Sequence, residues 1–521
     1  MTSRERVLDQ IDAAAQPWDL LVVGGGATGL GVAVDSAARG HRTLLLERHD
    51  FGQATSSRST KLVHGGVRYL RQGRIGLVRE ALLERGRLLR NAPHLVHPLG
   101  FVIPVYRRID AAWYGLGLAV YDSLAGRHAL GRSRALARAE TLRLAPTLEP
   151  EGLRGGVHFF DAQFDDARLA AHLAATADDL GGRVLNHVEV VRILKRNGRV
   201  RGVVARDAET GHEREIEARV TINATGVFVD RLRRLDEPQV APIVSPSQGA
   251  HLVLPRAFLP GDTAVLVPRT ADGRVVFVVP WHDRVIVGTT DTPLAEPQDE
   301  PVPLAAEVDF LLEHAARYLG RDPSRADVLS AFAGLRPLVR AGTARATSAL
   351  SRDHSIVVSR SALVTVTGGK WTTYRRIAQD VVDRAERVAG LERRACRTEE
   401  LRLHGAVTES AVGTPLAVYG ADADRLREIV SAEPTLGDRL VPDLPLIGAQ
   451  VVWAARAEMA RTVEDVLARR TRVLVLDARA SLAAAPRVAA LLARELGRDA
   501  AWVERSVAAY RVVAERHLVG V

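Results

Sequence analysis

Cysteine is almost absent from this chain. Cys396 stands alone, which excludes an intramolecular disulfide and any metal or iron–sulfur centre built on several thiolates. A lone thiol fits a reducing compartment, and a small buried side chain is its plain reading. Lysine is nearly as scarce: Lys61, Lys195 and Lys370 are the only three among 71 basic residues, the rest being arginine. GC-rich coding produces such a bias, and the lysines that survive it mark places where a compact point charge suits the geometry better than a guanidinium fork. Lys61 and Lys370 lie in motifs described below, whereas Lys195 sits beside an expected turn, KRNGR. The chain also lacks a run of about 20 apolar residues able to cross a bilayer. Repeats, low-complexity segments and the lysine- or arginine-rich blocks that track nucleic acid are missing too. Its sixteen histidines do not pair with acids at metal-ligand spacing, so no metal site is expected. The N-terminus has neither a long apolar core nor a small-residue cleavage site, and no signal peptide is expected there.

What remains is the composition of a folded protein with two or three domains: 521 residues, 47% hydrophobic and 26% charged. The formal charge is +9. Residues 396–521 carry seventeen arginines and seventeen acids, so the whole excess lies in residues 1–395. Without basic blocks, that excess points to a small anionic substrate and a membrane surface rather than to nucleic acid. Ala111 to Tyr121, AAWYGLGLAVY, is flanked by Arg107, Arg108 and Arg127. Two readings stand for it, a helix lying in a membrane interface and a buried core helix.

The richest stretch runs from Asp19 to Glu47. Leu20–Val23 reads as a buried parallel strand, and Gly24, Gly26 and Gly29 then open a helix. The first glycine permits a tight turn, the second lets backbone approach a pyrophosphate, and the third allows helix to pack on strand, with Gly31 adding room. Ala27 and Thr28 bring the first helical amides toward the phosphates. A second strand, Thr43–Leu46, ends at Glu47, whose carboxylate can accept both hydroxyls of an adenosine ribose. It favours FAD or NAD over NADP, whose 2′-phosphate it would repel.

Further along, Val220–Gly226 reads as an apolar strand ending in Ala224-Thr225-Gly226, similar to the strand that in two-dinucleotide-fold flavoproteins returns beside the first one. Residues 250–290 read as an antiparallel sheet with turns at Gly261-Asp262 and Asp272-Gly273, plausible as the floor of a substrate chamber. Helical spacing marks 76–90 and 305–320. The strand Ala362–Thr367 runs into Gly368-Gly369-Lys370-Trp371-Thr372 and a helix, a glycine pair able to aim amides at a cofactor. Beyond about residue 395, amphipathic helices are expected over 412–431, 446–469 and 481–518.

After Glu47 comes TSSRSTKLVHGGVRYL, Thr55 to Leu70, which suits a polar chamber better than a core. With GGGATG, FDDARL at Phe164–Leu169, INATG at Ile222, AGLRPL at Ala333–Leu338, TGGKWTTYR at Thr367–Arg375 and TVEDVLARRTR at Thr462–Arg472, it resembles the FAD-dependent glycerol-3-phosphate dehydrogenases over essentially the whole chain.

That resemblance implies an α/β (α+β) FAD domain of the two-dinucleotide-binding, D-amino-acid-oxidase-like type, with an antiparallel substrate sheet and a C-terminal all-α domain. The implied divisions are FAD-binding parts about 17–95, 155–240 and 334–390, substrate parts about 96–154 and 241–333, and a helical domain at 396–521. The implied reaction takes glycerol 3-phosphate to dihydroxyacetone phosphate by hydride transfer from C2 to FAD, with electrons passed to a membrane quinone. A cytoplasmic protein at the inner face of the cell membrane is implied, and a homodimer is left open.

Residue by residue, Arg68 and Tyr69 match a phosphate-contacting pair, and Arg336 and Lys370 match positions near the substrate hydroxyls and flavin. His251, in QGAHLV, is the first expectation for the base, with His64 second. A structural histidine is the other reading of His251, in which case Lys370 or a water takes the proton. The expected FAD contacts also take in Thr55, Ser56, Ser57, Lys61, His64, Gly65, Gly66, Val188 and Gly334. Asp165 and Asp166 read as helix caps. Gln248 stands where many relatives carry a lysine, so the phosphate is either held more weakly or held by Arg68. The rival readings are a glycerol-3-phosphate oxidase that uses oxygen, an amine or amino-acid oxidase of the same fold, and a membrane-associated binding or regulatory flavoprotein without turnover.

Overall fold

The computed structural model describes residues 1–66, 70, 73–268, 270, 274–340, 354–407 and 415–520, without the side chains of 108–112. Its first layer is built on the β-α-β unit read above. Trp18–Val23 lies between Thr43–Leu46 and Glu213–Asn223, parallel to both. Arg183–Leu185 adds beyond Thr43–Leu46, and Val364–Thr367 beyond Glu213–Asn223, again in parallel. The antiparallel strand Ser355–Val358 finishes one edge. These strands are apolar on both faces because helices cover both: the strand Trp18–Val23 has Leu20, Leu21 and Val22 fully buried. The helix Ala27–Ala38 is made of small residues because it is itself sandwiched, and a Cβ on its Gly31 would press to 2.8 Å from the Tyr374 ring of the helix Tyr374–Ala389. A hairpin of Val188–Arg196 and Arg199–Asp207 extends the layer through the outer half of Glu213–Asn223.

A second, ten-stranded sheet carries the chamber. Val244–Pro255 pairs antiparallel with both Arg284–Gly288 and Ser330–Val339. The sheet continues through Val276–Trp281 and Ala264–Val267 to Val96–Val105, which Ala264–Val267 meets in parallel. Gly155–Phe164 pairs with Val96–Val105 along its whole length, so this strand belongs to the second sheet, although the sequence division at 155 gave it to the FAD-binding part. Ser330–Val339 likewise belongs here, and among the described residues the first layer takes up the chain again at Ser355–Val358.

The C-terminal region is helical: Ala423–Ala432, Gly448–Ala457, a π-helical turn Asp465–Arg470, Val473–Leu476, Ala478–Leu496 and Ala500–Glu515. The single helix expected over 481–518 is two, because Gly497 takes a left-handed φ of 63° and Asp499 caps a new start through the Trp502 amide. The helix expected over 446–469 breaks at Ala457, and Met459 there has a φ of 55°. Residues 412–414 of the first expected helix, and Asp272-Gly273, lie outside the described residues. The helices share one apolar cluster with Val253, Trp281, Ile286 and Phe332 of the second sheet, so the C-terminal domain sits against the back of the chamber.

Among the described residues no helix is long and apolar enough to cross a membrane. The helix Arg108–Ala125 divides its residues between the two readings given above. Leu118, Tyr121 and Ala125 face the core, while Trp113 and Leu116 are 69% and 67% exposed and Val120 joins them on the outer side.

Candidate active site

At the carboxyl ends of the first-layer strands lies a cavity of about 590 Å3. Its floor is the turn between Trp18–Val23 and Ala27–Ala38. Gly24 has a φ of +110°, and a Cβ there would stand 2.7 Å from the Ala224 carbonyl oxygen. Gly29 lies directly beneath, where any side chain would collide with the Gly24 carbonyl. Backbone is thus brought close enough to the cavity for a pyrophosphate to reach amides rather than side chains. The Ala27 amide donates to Ser56 Oγ at 2.9 Å, which fastens the segment 55–57 over the helix start.

Glu47 closes the adenosine end. Its carboxylate accepts the Gly25 amide at 2.6 Å and the His49 amide at 2.8 Å, and it lines the cavity with lone pairs left for a ribose. Gly26, Ala27, Thr28, Thr55, Ser56, Val188, Ala224, Thr225, Gly226, Gly368, Gly369, Lys370 and Trp371 line it too. Gly368 and Gly369 both have positive φ, near 81°, and Trp371 Nε1 donates to the Ser56 carbonyl at 2.8 Å. A glycine cradle, an acid for the ribose and a Gly-Gly-Lys turn at the far end fit the three parts of a flavin dinucleotide in sequence.

Several of the residues expected to contact the cofactor do not line this cavity. Lys61 does not line the cavity: its ammonium is fully buried, donating to Asp166 at 2.7 and 2.8 Å and to the Ser57 carbonyl at 2.7 Å. A buried charge has to be paired, and Asp166 on the next layer does this. Gly65 is packed beneath Tyr121, whose hydroxyl oxygen accepts its amide at 2.9 Å. Gly334 lies under the Arg58 carbonyl, and Gly66 and Ser57 are also off the cavity wall. His64 exchanges bonds with Thr372, its amide donating to Thr372 Oγ1 at 3.3 Å and its carbonyl accepting that hydroxyl at 3.4 Å. The two polar motifs, 55–66 and 367–375, therefore meet although 308 residues separate His64 from Thr372. Arg68 and Tyr69 lie outside the described residues.

His251 sits behind this wall on Val244–Pro255. Its Nε2 is 2.8 Å from Thr60 Oγ1, and its ring stacks on Phe332 at 4.7 Å and 9°. Burial, then the Arg336 guanidinium and the Lys61 ammonium, hold the imidazole well below its ordinary pKa, so it is neutral. Arg336, across the strand pair, donates to the Gln248 and Thr290 carbonyls at 3.2 and 2.9 Å and to Thr289 Oγ1 at 3.1 Å, and pairs with Asp291 at 3.3 Å. The strand Ser330–Val339 joins the two regions, since Phe332 covers His251 and Pro337 reaches the cavity. Gln248 is occupied structurally, donating to the Val302 carbonyl and to Glu307. Asp165 caps its helix through the Arg168 amide at 3.1 Å.

Sequence reasoning missed the mouth of the cavity. Arg48 and Arg231 both lie over the Phe228 ring, at 5.4 and 4.5 Å, and both bond Asp299, at 2.6 and 2.9 Å. Arg48 directly follows one recognised motif and Phe228 comes two residues after another, but Asp299 comes from the loop between Thr292–Pro293 and Ala305–Ala316 and carries no local signal.

A family model described as FAD dependent oxidoreductase matches residues 19–375, and one described as the C-terminal domain of alpha-glycerophosphate oxidase matches residues 359–503. The chain is 39% identical to the mitochondrial glycerol-3-phosphate dehydrogenase of Rattus norvegicus, covering 95% of this chain and 72% of that one. It is 40% identical to a mitochondrial glycerol-3-phosphate dehydrogenase of Arabidopsis thaliana over 92% and 83%. Among solved structures it resembles the FAD complex of the glycerol-3-phosphate dehydrogenase from Bacillus halodurans, with a TM-score of 0.82, 28% identity and 99% of both chains covered.

Proposed function

The chain belongs to the FAD-dependent glycerol-3-phosphate dehydrogenases, and on that premise we propose that it oxidises sn-glycerol 3-phosphate to dihydroxyacetone phosphate and hands the electrons to a membrane quinone. FAD, when bound, supplies the acceptor for the C2 hydride. The observation that carries the reading is the junction at Lys370: this cation lines the dinucleotide cavity on its Gly-Gly turn, and the strand bearing Arg336 runs from that cavity to His251. A cation on the cavity wall, with a second on the strand that leads from it, suits a substrate that enters as a phosphate dianion and builds charge on a C2 oxygen.

In this reading Lys370 stabilises the C2 oxygen as its proton leaves. His251, neutral before substrate arrives, takes that proton, and the incoming dianion raises its proton affinity. Arg336, held by two carbonyls and Asp291, keeps its guanidinium in place without reorganisation. Arg68 and Tyr69 hold the phosphate. The exposed row Trp113, Leu116 and Val120 rests on the membrane where quinone is available.

The test is anaerobic flavin bleaching by sn-glycerol 3-phosphate, followed by a quinone analogue or oxygen. Bleaching with fast recovery on quinone alone is expected. Fast recovery on oxygen replaces the dehydrogenase with an oxidase, and an unbleached flavin overturns the substrate.

A further inference from the structure

The loop that follows Glu47 is a wall of the dinucleotide cavity, with Glu47, Arg48, His49, Gly52 and Gln53 all facing it. Asp50, in the middle of that run, faces the other way and is fully buried. Its carboxylate accepts Arg469 Nε at 2.6 Å and both Nη atoms of Arg470 at 2.7 and 2.8 Å. Both arginines sit on the π-helical turn Asp465–Arg470 of the C-terminal domain.

The other edge of the same wall is fastened to the same turn. Glu47 is hydrogen-bonded through its backbone to Leu185 and Val188, and the His187 amide donates to the His49 carbonyl at 2.6 Å. His187 in turn places Nε2 at 2.9 Å from Asp465. Asn186 bridges the two sides, donating to Asp50 Oδ1 and to the Met459 carbonyl, each at 2.9 Å. Asp465, Glu464 and the Glu458 carbonyl hold the arginines from behind. Burial disfavours the charge on Asp50, but Arg470 and Arg469 outweigh it and keep the carboxyl below its usual range. Three acids and a histidine thus meet two guanidiniums at one point, where the cations satisfy the carboxylates directly.

We propose that Arg470, with Arg469, is a positioning residue for the cofactor: through Asp50 it sets the height of the wall that presents Glu47 to the adenosine ribose. The C-terminal helical domain thereby governs how tightly FAD is held. The physical link is short. Without Arg470 a buried carboxylate loses its bidentate partner, and the loop relieves this by moving Asp50 toward water. Glu47 is three residues away, so the same movement withdraws it from the Gly25 amide and from the ribose. Coupling of this kind is reciprocal, and FAD steadies the C-terminal domain in return.

The test is FAD affinity of refilled apoprotein, read by flavin fluorescence well below the melting temperature. It does not depend on substrate, so the glycerol 3-phosphate reading and this one fail by different measurements. Arg470→Met is expected to weaken FAD at least tenfold, and Asp50→Asn/Arg470→Met, which removes both charges, to regain most of that loss. His404→Gln is the control. His404 joins the same two domains by bridging Asp179 and Asp422 at 2.6 and 2.9 Å but touches neither Arg470 nor the ribose wall, so it is expected to lower the melting temperature and leave FAD affinity within twofold. Equal weakening by Arg470→Met and His404→Gln, or none by Arg470→Met, overturns the proposal. If Arg470→Met does not fold, Arg470→Lys decides: a several-fold loss supports it, and unchanged affinity overturns it.

Discussion

Gly24 holds a φ of +110° with the Ala224 carbonyl where a Cβ would go, so Gly24→Ala strains the backbone and fills the cradle together. Strain of this kind costs about 1–3 kcal/mol. The expected outcome is a folded protein purified with less than a tenth of the wild-type flavin, measured by the ratio of flavin to protein absorbance. Lys61 makes the opposite case. Lys61→Met leaves Asp166 buried and unpaired, which costs about 3–5 kcal/mol in folding stability. Denaturant unfolding is expected to show that loss, while flavin bound to the folded fraction stays near stoichiometric. These two residues also mark what could be read from sequence. Gly24, Gly29 and Glu47 are legible because the chemistry that needs them is local, within one β-α-β unit. Lys61 carries no such sign: scarcity singled it out, but its partner is 105 residues away and its role is set by packing between layers.

At the scale of elements, the helix Arg108–Ala125 turns Leu118, Tyr121 and Ala125 inward and Trp113, Leu116 and Val120 outward. Periodicity alone showed an apolar stretch, and which face is covered depends on neighbours distant in sequence. Trp113→Ser/Leu116→Ser is expected to abolish co-flotation with vesicles of anionic phospholipid and to leave bleaching by glycerol 3-phosphate intact. Persistent flotation removes this helix as the contact. A second element, the strap through His404, ties Asp179 of the helix Asp166–Asp179 to Asp422 ahead of Ala423–Ala432, at 2.6 and 2.9 Å. Hydrogen bonds donated to these two carboxylates raise the His404 imidazole to about 9. A raised folded pKa means that its contribution is complete below the unfolded value near 6.5 and is lost as pH climbs through about 9. His404→Gln is therefore expected to lower stability by on the order of 2 kcal/mol at pH 6, allowing for partial exposure, and by almost nothing at pH 10. Paired melting curves across that range check it.

For the molecule as a whole, the boundary near residue 395 is one of composition more than of stability. Helices beyond it share a core with Val253, Trp281, Ile286 and Phe332, and buried ion pairs such as Asp165–Arg472 and Arg168–Glu458 cross it. Calorimetry of the full chain is expected to give one cooperative transition, and the chain ended at residue 395 to fail to fold. Two separate transitions would show the halves to be independent. The sequence indicated the helical domain and its rough extent, but not the face it presents. That face depends on contacts such as Ser330 Oγ to the Leu474 carbonyl, 144 residues apart.

Asp50 and Arg470 are 420 residues apart. At about 5–20 residues per second, a ribosome adds the intervening chain in roughly 20–80 s. Throughout that interval the nascent protein has its Gly24 turn and Glu47 but no counter-charge for Asp50. On the proposed role of Arg470, the first βαβ unit reaches its full affinity for flavin only once the C-terminal helices are made, so tight capture of flavin is expected late in synthesis.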